Sequence, residues 1–156
     1  MMKVFISHKK EDSFTASVMA AELRRLGVDS YLDVLEPTIL QDGKALTKHI
    51  QSNLNSCTDT IVIISETTRY SQWVPFEVGM ATQKKMPIAT FLKESVALPE
   101  FLEYWPRLKK TSDVEKYVAV RRQVADEYLH KGLFESVNMR SGETERFYEV
   151  LKSKLY

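Results

Sequence analysis

Little glycine, one cysteine and three histidines in 156 residues deny this chain several common chemistries. None of its five glycines falls in a GxGxxG or GxxxxGK(S/T) array, which excludes a dinucleotide fingerprint and a P-loop. The single cysteine, Cys57, cannot build a disulfide framework within the chain, and with scattered histidines it offers no metal-ligand spacing. It falls on or just after a helical stretch and reads as a packed side chain. No GxSxG elbow is present, so a hydrolase triad of that kind is absent. Charge of one sign is lacking too: 22 Lys and Arg against 21 Asp and Glu leave a net +1. The basic pairs Lys84-Lys85, Lys109-Lys110 and Arg121-Arg122 are scattered, so no nucleic-acid partner is expected. No apolar run approaches the ~20 residues of a membrane span, and Met1 to Phe5 run straight into a strand without a signal peptide. The expectation is a cytoplasmic protein with no membrane partner.

The hydrophobic 44% of the chain is enough for one full core at this length, and no repeat or Pro/Gly linker divides it. Apolar patterning predicts a strand over 3–7 and a helix capped by Asp12 or Ser13, with Ala16, Met19, Ala20, Leu23 and Leu26 inward and Gly27 as its left-handed stop. A second strand follows over 28–33, then a loop over 34–41 containing Pro37. Asp42 caps the next helix, whose inner positions are Leu46, Ile50 and Leu54; His49 falls off that stripe and reads as solvated. The third strand, 60–65, is a run of aliphatic residues without alternation, as a central parallel strand covered on both faces requires.

Beyond a polar loop over 66–70, Pro75 fits only the first turn of a helix, where its missing N–H costs nothing. That helix, opening near Val74 or Pro75 and ending near Lys84-Lys85, puts Glu77 in its first turn beside free N–H groups. Further on, the pattern predicts a fourth strand over 86–92, a short helix over 98–104 and an edge strand over 105–108. A helix from Ser112 to Gly132 turns Val114, Tyr117, Val118, Val124 and Tyr128 inward, and a last helix over 144–154 buries Phe147, Val150 and Leu151. The alternation predicts an α/β fold with a flavodoxin-like doubly wound parallel five-stranded sheet and helices on both faces. Strands one and three end in Ser7 and Ser65 rather than in a carboxylate cluster, against a phosphate-receiving regulator. One well-placed acid remains, Glu77, at the carboxyl end of a strand where open α/β sheets bind ligands.

Several segments in order resemble the Toll/interleukin-1 receptor (TIR) domain family. Val4-Phe5-Ile6-Ser7-His8 is similar to its first box, and Tyr31-Leu32-Asp33 to its second strand, followed by the long loop that ends in Asp42-Gly43-Lys44. Trp73-Val74-Pro75-Phe76-Glu77 resembles the WxxxE element of NAD-cleaving members, and Trp105-Pro106-Arg107-Leu108 the fifth-strand motif of bacterial ones. The resemblance implies a TIR domain over 2–131 with a helical extension over 132–156 packed on the same domain. It implies cleavage of the nicotinamide–ribose bond of NAD, with Glu77 catalytic and NAD as a substrate rather than a resident cofactor. NAD contacts are then expected from Phe5, Ser7, His8, Lys9, Asp33, Gly43 and Trp73.

Such a reaction suits a single carboxylate. Nicotinamide leaves as a neutral ring from a cationic one, so no acid is needed to protonate it. One carboxylate suffices to stabilise the oxocarbenium-like ribose, and none other is expected near it. Lys9 or Lys10 would meet the pyrophosphate or sit as solvated strand-end charges. Trp73 either stacks on nicotinamide or anchors its helix. Phe5 lines the site or fills the core, and Asp33 touches ligand or orders its own loop. The family further implies self-assembly through TIR–TIR contacts. An ADP-ribose or cyclic ADP-ribose-type product read by a separate effector, as in Thoeris-type defence of bacteria against phage, completes this expectation. Competing readings are a non-catalytic interaction module acting through the 34–43 loop, a nucleoside deoxyribosyltransferase-like enzyme with a nucleophilic glutamate, and a structural subunit without ligand.

Overall fold

In the computed structural model, which describes residues 1–34, 43–66, 69, 73–92, 96–130 and 137–156, five strands form one parallel sheet. They are β1 (Lys3–His8), β2 (Asp29–Val34), β3 (Asp59–Ile64), β4 (Ile88–Leu92) and β5 (Arg107–Leu108), in the order β2-β1-β3-β4-β5. That is the flavodoxin-like order expected, with its reversal of direction between β1 and β3. All six residues of β3 are buried, as its unbroken aliphatic run demands.

Helices cover both faces. On one side α1 (Ser13–Arg25), α4 (Ser112–His130) and α5 (Val137–Leu155) pack on Val4, Ile6, Ile61 and Ile63. On the other, α2 (Gly43–Asn55) and α3 (Trp73–Gln83) pack on Phe5, Val62, Ile64 and Ile88. Alternation along β1 thus sends Phe5 and Ser7 toward α2 and α3, and Val4 and Ile6 toward α1. The inner stripe of α1 is Ala16, Met19, Ala20 and Leu23, with Leu26 partly buried, and Gly27 leaves the helix at φ 74°. A residue with a Cβ would be strained there.

Several expectations need correcting. Asp12 stands at the N-cap position of α1 after a 3-10 turn, Lys10–Asp12, yet its carboxylate makes no cap bond. It accepts from Ser65 Oγ at 2.7 Å instead, joining the ends of β1 and β3. Helix α3 opens at Trp73, so Glu77 is its fifth residue and lies past the first turn. Pro75 remains among the first four residues, whose N–H groups have no helical acceptor. The expected helix over 98–104 is a 3-10 turn, Glu100–Leu102, and the edge strand keeps only Arg107 and Leu108. Helix α5 begins well before residue 144, and buries Tyr148 with Phe147 and Leu151 while Val150 is only partly covered. Residues 35–42, with Pro37 and Asp42, residues 67, 68 and 70 of the expected 66–70 loop, and Gly132 lie outside the described residues.

The amino ends of the strands are locked by an ionic cluster. Asp59, fully buried at the start of β3, receives Arg121 Nε at 2.6 Å, Tyr117 Oη at 2.7 Å and Thr58 Oγ1 at 2.6 Å. Arg121 also reaches Glu143 of α5 at 3.4 Å, so one guanidinium ties β3, α4 and α5 together. Tyr148 Oη accepts the N–H of Ile88 at 2.9 Å, and Tyr156 Oη that of Arg107 at 3.1 Å. These bonds supply acceptors to backbone donors at the entries of β4 and β5.

Candidate functional site

The opposite, carboxyl end of the sheet carries the unusual chemistry. Along α3 the positions Val74, Val78 and Ala81 face the core, and Glu77 shares that stripe. A carboxylate there has no exit to water: Glu77 has no exposed surface. Its Oε2 accepts a very short hydrogen bond from Ser7 Oγ, at the end of β1. Its Oε1 is buried and makes no hydrogen bond among the described residues. Ser7 pairs in register with Asp33 of β2, so the two side chains stand on the same face about 4.8 Å apart along the sheet. Asp33 is also buried, at 5% exposure.

The electrostatics follow from that crowding. Burial pushes the Glu77 carboxyl well above its ordinary value; the Ser7 hydrogen bond opposes this, and the charge of Asp33 adds to it. A second acid therefore does stand beside Glu77, contrary to the expectation of a solitary carboxylate. Asp33 in turn has an imidazole within reach, His49 of α2, whose Nε2 lies 3.5 Å from Asp33 Oδ1. The same nitrogen is 3.4 Å from Tyr31 Oη and 3.2 Å from Asn53 Nδ2. Burial, and then the Asp33 charge, raise the Tyr31 phenol above its ordinary value. His49 is thus not simply solvated: its side chain is 46% exposed, yet its inner edge meets the buried Asp33.

Other expected contact residues are distributed as follows. His8 extends β1 by one residue and is buried, its Nδ1 3.3 Å from the Ile6 carbonyl. Phe5 has no exposed surface; its ring stacks on Tyr31 at 5.7 Å and belongs to the core under α2 and α3. Lys9 is partly exposed just ahead of the 3-10 turn. Gly43 is exposed as the first residue of α2, with open space where a Cβ would stand. The Trp73 side chain lies outside the described part of the structure. Cys57 is buried in the core, and burial raises its thiol.

Sequence reasoning passed over His49 and the Asp33–Glu77 neighbourhood. The first had a visible signal, because residues 46, 49, 50, 53 and 54 form one helical stripe and put His49 on its flank. The second needs the register of two strands that lie far apart in sequence. Among the described residues no group of three His, Cys, Asp or Glu is placed to hold a metal ion, and no helix is long and apolar enough to cross a membrane.

Comparison with known proteins agrees with this architecture. The family model for the TIR domain matches residues 4–128. No curated protein matches. Among solved structures, the TIR domains of the activated Roq1 resistosome directly recognizing the pathogen effector XopQ are similar at 15% identity and a TM-score of 0.46, covering 98% of this chain and 82% of that one. A 3-dehydroquinate dehydratase-like protein from Bifidobacterium longum is similar at 11% identity and a TM-score of 0.45, covering 70% of this chain and 84% of that one. With four-fifths of its length inside that family model, the chain belongs to the TIR domain family.

Proposed function

We propose that this protein cleaves the nicotinamide–ribose bond of NAD with Glu77 as the catalytic carboxylate. The observation that carries the reading is the Glu77 side chain, fully buried at the sheet's switch point, with one oxygen held by Ser7 and the other unoccupied by any described donor. A carboxyl raised by burial and by a neighbouring acid gains most from a cation brought against it. The nicotinamide ring of NAD carries such a charge, and the ribose inherits it as the bond breaks. The electron pair of the C1′–N bond leaves with nicotinamide, which departs neutral. The positive charge on the ribose then faces Glu77 until a nucleophile adds. No resident cofactor takes part, and NAD is the substrate.

The family relationship supports two wider parts of the proposal. Copies of the chain assemble through TIR–TIR contacts, with a neighbour's loop completing the site. The ADP-ribose or cyclic product is a signal for a separate effector in defence of bacteria against phage. Mass spectrometry of NAD incubated with the protein, concentrated and dilute and in lysate of phage-infected cells, tests the chemistry. Loss of NAD with an ADP-ribose-type product, abolished in Glu77→Gln, is the expected outcome. Intact NAD in every condition from folded protein would leave a non-catalytic interaction module as the better reading.

A further inference from the structure

The carboxylate pair and the imidazole behind it lead beyond a one-glutamate mechanism. Ser7 is the geometric link: it bonds Glu77 and is the register partner of Asp33, so both acids reach the same buried corner from α3 and β2. Asp33 is then the only member of the pair with a described polar neighbour leading outward, His49 Nε2 at 3.5 Å. The His49 ring is the part of this chain of groups that meets water, at 46% exposure, and Asn53 and Tyr31 hold its inner nitrogen in place. His49 from α2 and Tyr31 from β2 are ionisable groups that interact with Asp33, while Ser7 from β1 brings a hydroxyl to Glu77.

We propose that Asp33 is the general base of the reaction, and that His49 is the positioning residue through which the Asp33–Glu77 pair exchanges protons with solvent. For its chemistry this rests on the NAD-cleaving reading. Cleavage with addition of water, or of a ribose hydroxyl, must release one proton per turnover. The nucleophile's oxygen forms the new bond to C1′, and its proton passes to the Asp33 carboxylate. Nicotinamide has already taken the electron pair of the old bond, so charge balances when that proton leaves by way of His49 Nε2. Glu77 stays opposite the ribose throughout and takes no proton from the nucleophile. Two acids at the corner divide the labour: one faces the cation, the other faces the nucleophile and the exit. Tyr31 keeps its proton and steadies the imidazole.

The test has one arm that needs no activity. In protein carrying carbon-13 at its side-chain carboxyls, the Glu77 resonance is assigned by its loss in Glu77→Gln, then followed against pH. In Asp33→Asn its midpoint falls by about one pH unit or more, because a like charge has gone. In His49→Gln it shifts as well, because the side chain that contacts Asp33 has gone. The second arm is kinetic. Asp33→Asn lowers kcat about 100-fold, and His49→Gln lowers kcat about tenfold with KM little changed. Imidazole in the buffer restores His49→Gln but not Asp33→Asn. A Glu77 midpoint unmoved in both variants overturns the proposal whether or not the protein is active. So does a parent-like kcat in Asp33→Asn or His49→Gln. Should the parent cleave no NAD at all, the NAD reading fails by itself, and the titration arm alone decides whether the pair and its imidazole are coupled.

Discussion

Among the described residues two carboxylates have no exposed surface, Asp59 and Glu77, and their surroundings differ in kind. Asp59 is saturated by a guanidinium, a phenol and a hydroxyl. Glu77 has a single hydroxyl, a bare oxygen and a second acid beside it. The first arrangement holds a fold together; the second leaves a group in need of a partner. Arg121→Leu therefore strands Asp59 as a buried charge and is expected to cost about 3–5 kcal/mol in urea unfolding. Removing both charges, as Asp59→Leu with Arg121→Leu, costs less than removing the guanidinium alone. The candidate catalytic residue was legible in the sequence because Pro75 marks a helix start beside Glu77 after a buried strand, and because Trp73 to Glu77 resembles the WxxxE element. Asp33 was expected at the same site but not as a second acid beside Glu77, and His49 was not expected there, since that step needs the pairing of β1 with β2, set by packing across the sheet rather than by any local pattern.

At the scale of elements, the strands and most helices follow from composition: a continuous aliphatic run gives β3, and spacing of three and four gives α1 and α4. Element ends were less legible. Asp12 was available as a cap, but Ser65 from across the sheet takes its carboxylate. The early turns of α5 carry polar residues such as Asn138, Arg140 and Ser141, so hydrophobic spacing marks only the later half. That later half matters most for packing. Phe147, Tyr148 and Leu151 enter the main core, with Tyr117 and Phe147 in edge-to-face contact at 5.0 Å. Tyr148→Phe keeps this packing but leaves the Ile88 N–H without its acceptor. Thermal unfolding is expected to register a loss of about 1–3 kcal/mol, and amide exchange at Ile88 to accelerate with it.

The whole molecule separates function from mechanical support along the strand direction. The acids of the candidate site, Glu77 from α3 and Asp33 from β2, lie by the carboxyl ends of β1 and β2, and the ionic cluster stands at the amino end of β3. The waiting end carries a stability cost that depends on pH. Because the Glu77 carboxyl is raised in the folded protein, proton binding favours folding. That benefit is complete below its ordinary value near 4.5 and is lost as pH climbs through the raised one. Glu77→Gln escapes the loss. The gap between variant and parent in denaturant midpoint is expected to open from about pH 4.5 upward, by about 1.4 kcal/mol for each pH unit by which the carboxyl is raised. Equal stability of the two at pH 5 and pH 8 would contradict the buried, charge-crowded setting of Glu77.

Helix α5 also bears on how the protein is handled at the bench. The family match ends at residue 128, before α5 begins, although that helix completes the core and one arm of the Asp59 cluster. A recombinant fragment cut to the matched span would expose Tyr117 and the face of α4, and would free the Ile88 amide. Such a fragment would aggregate or fail to assemble for reasons of folding alone. Silence from it in any enzymatic or binding assay would carry no information about Glu77.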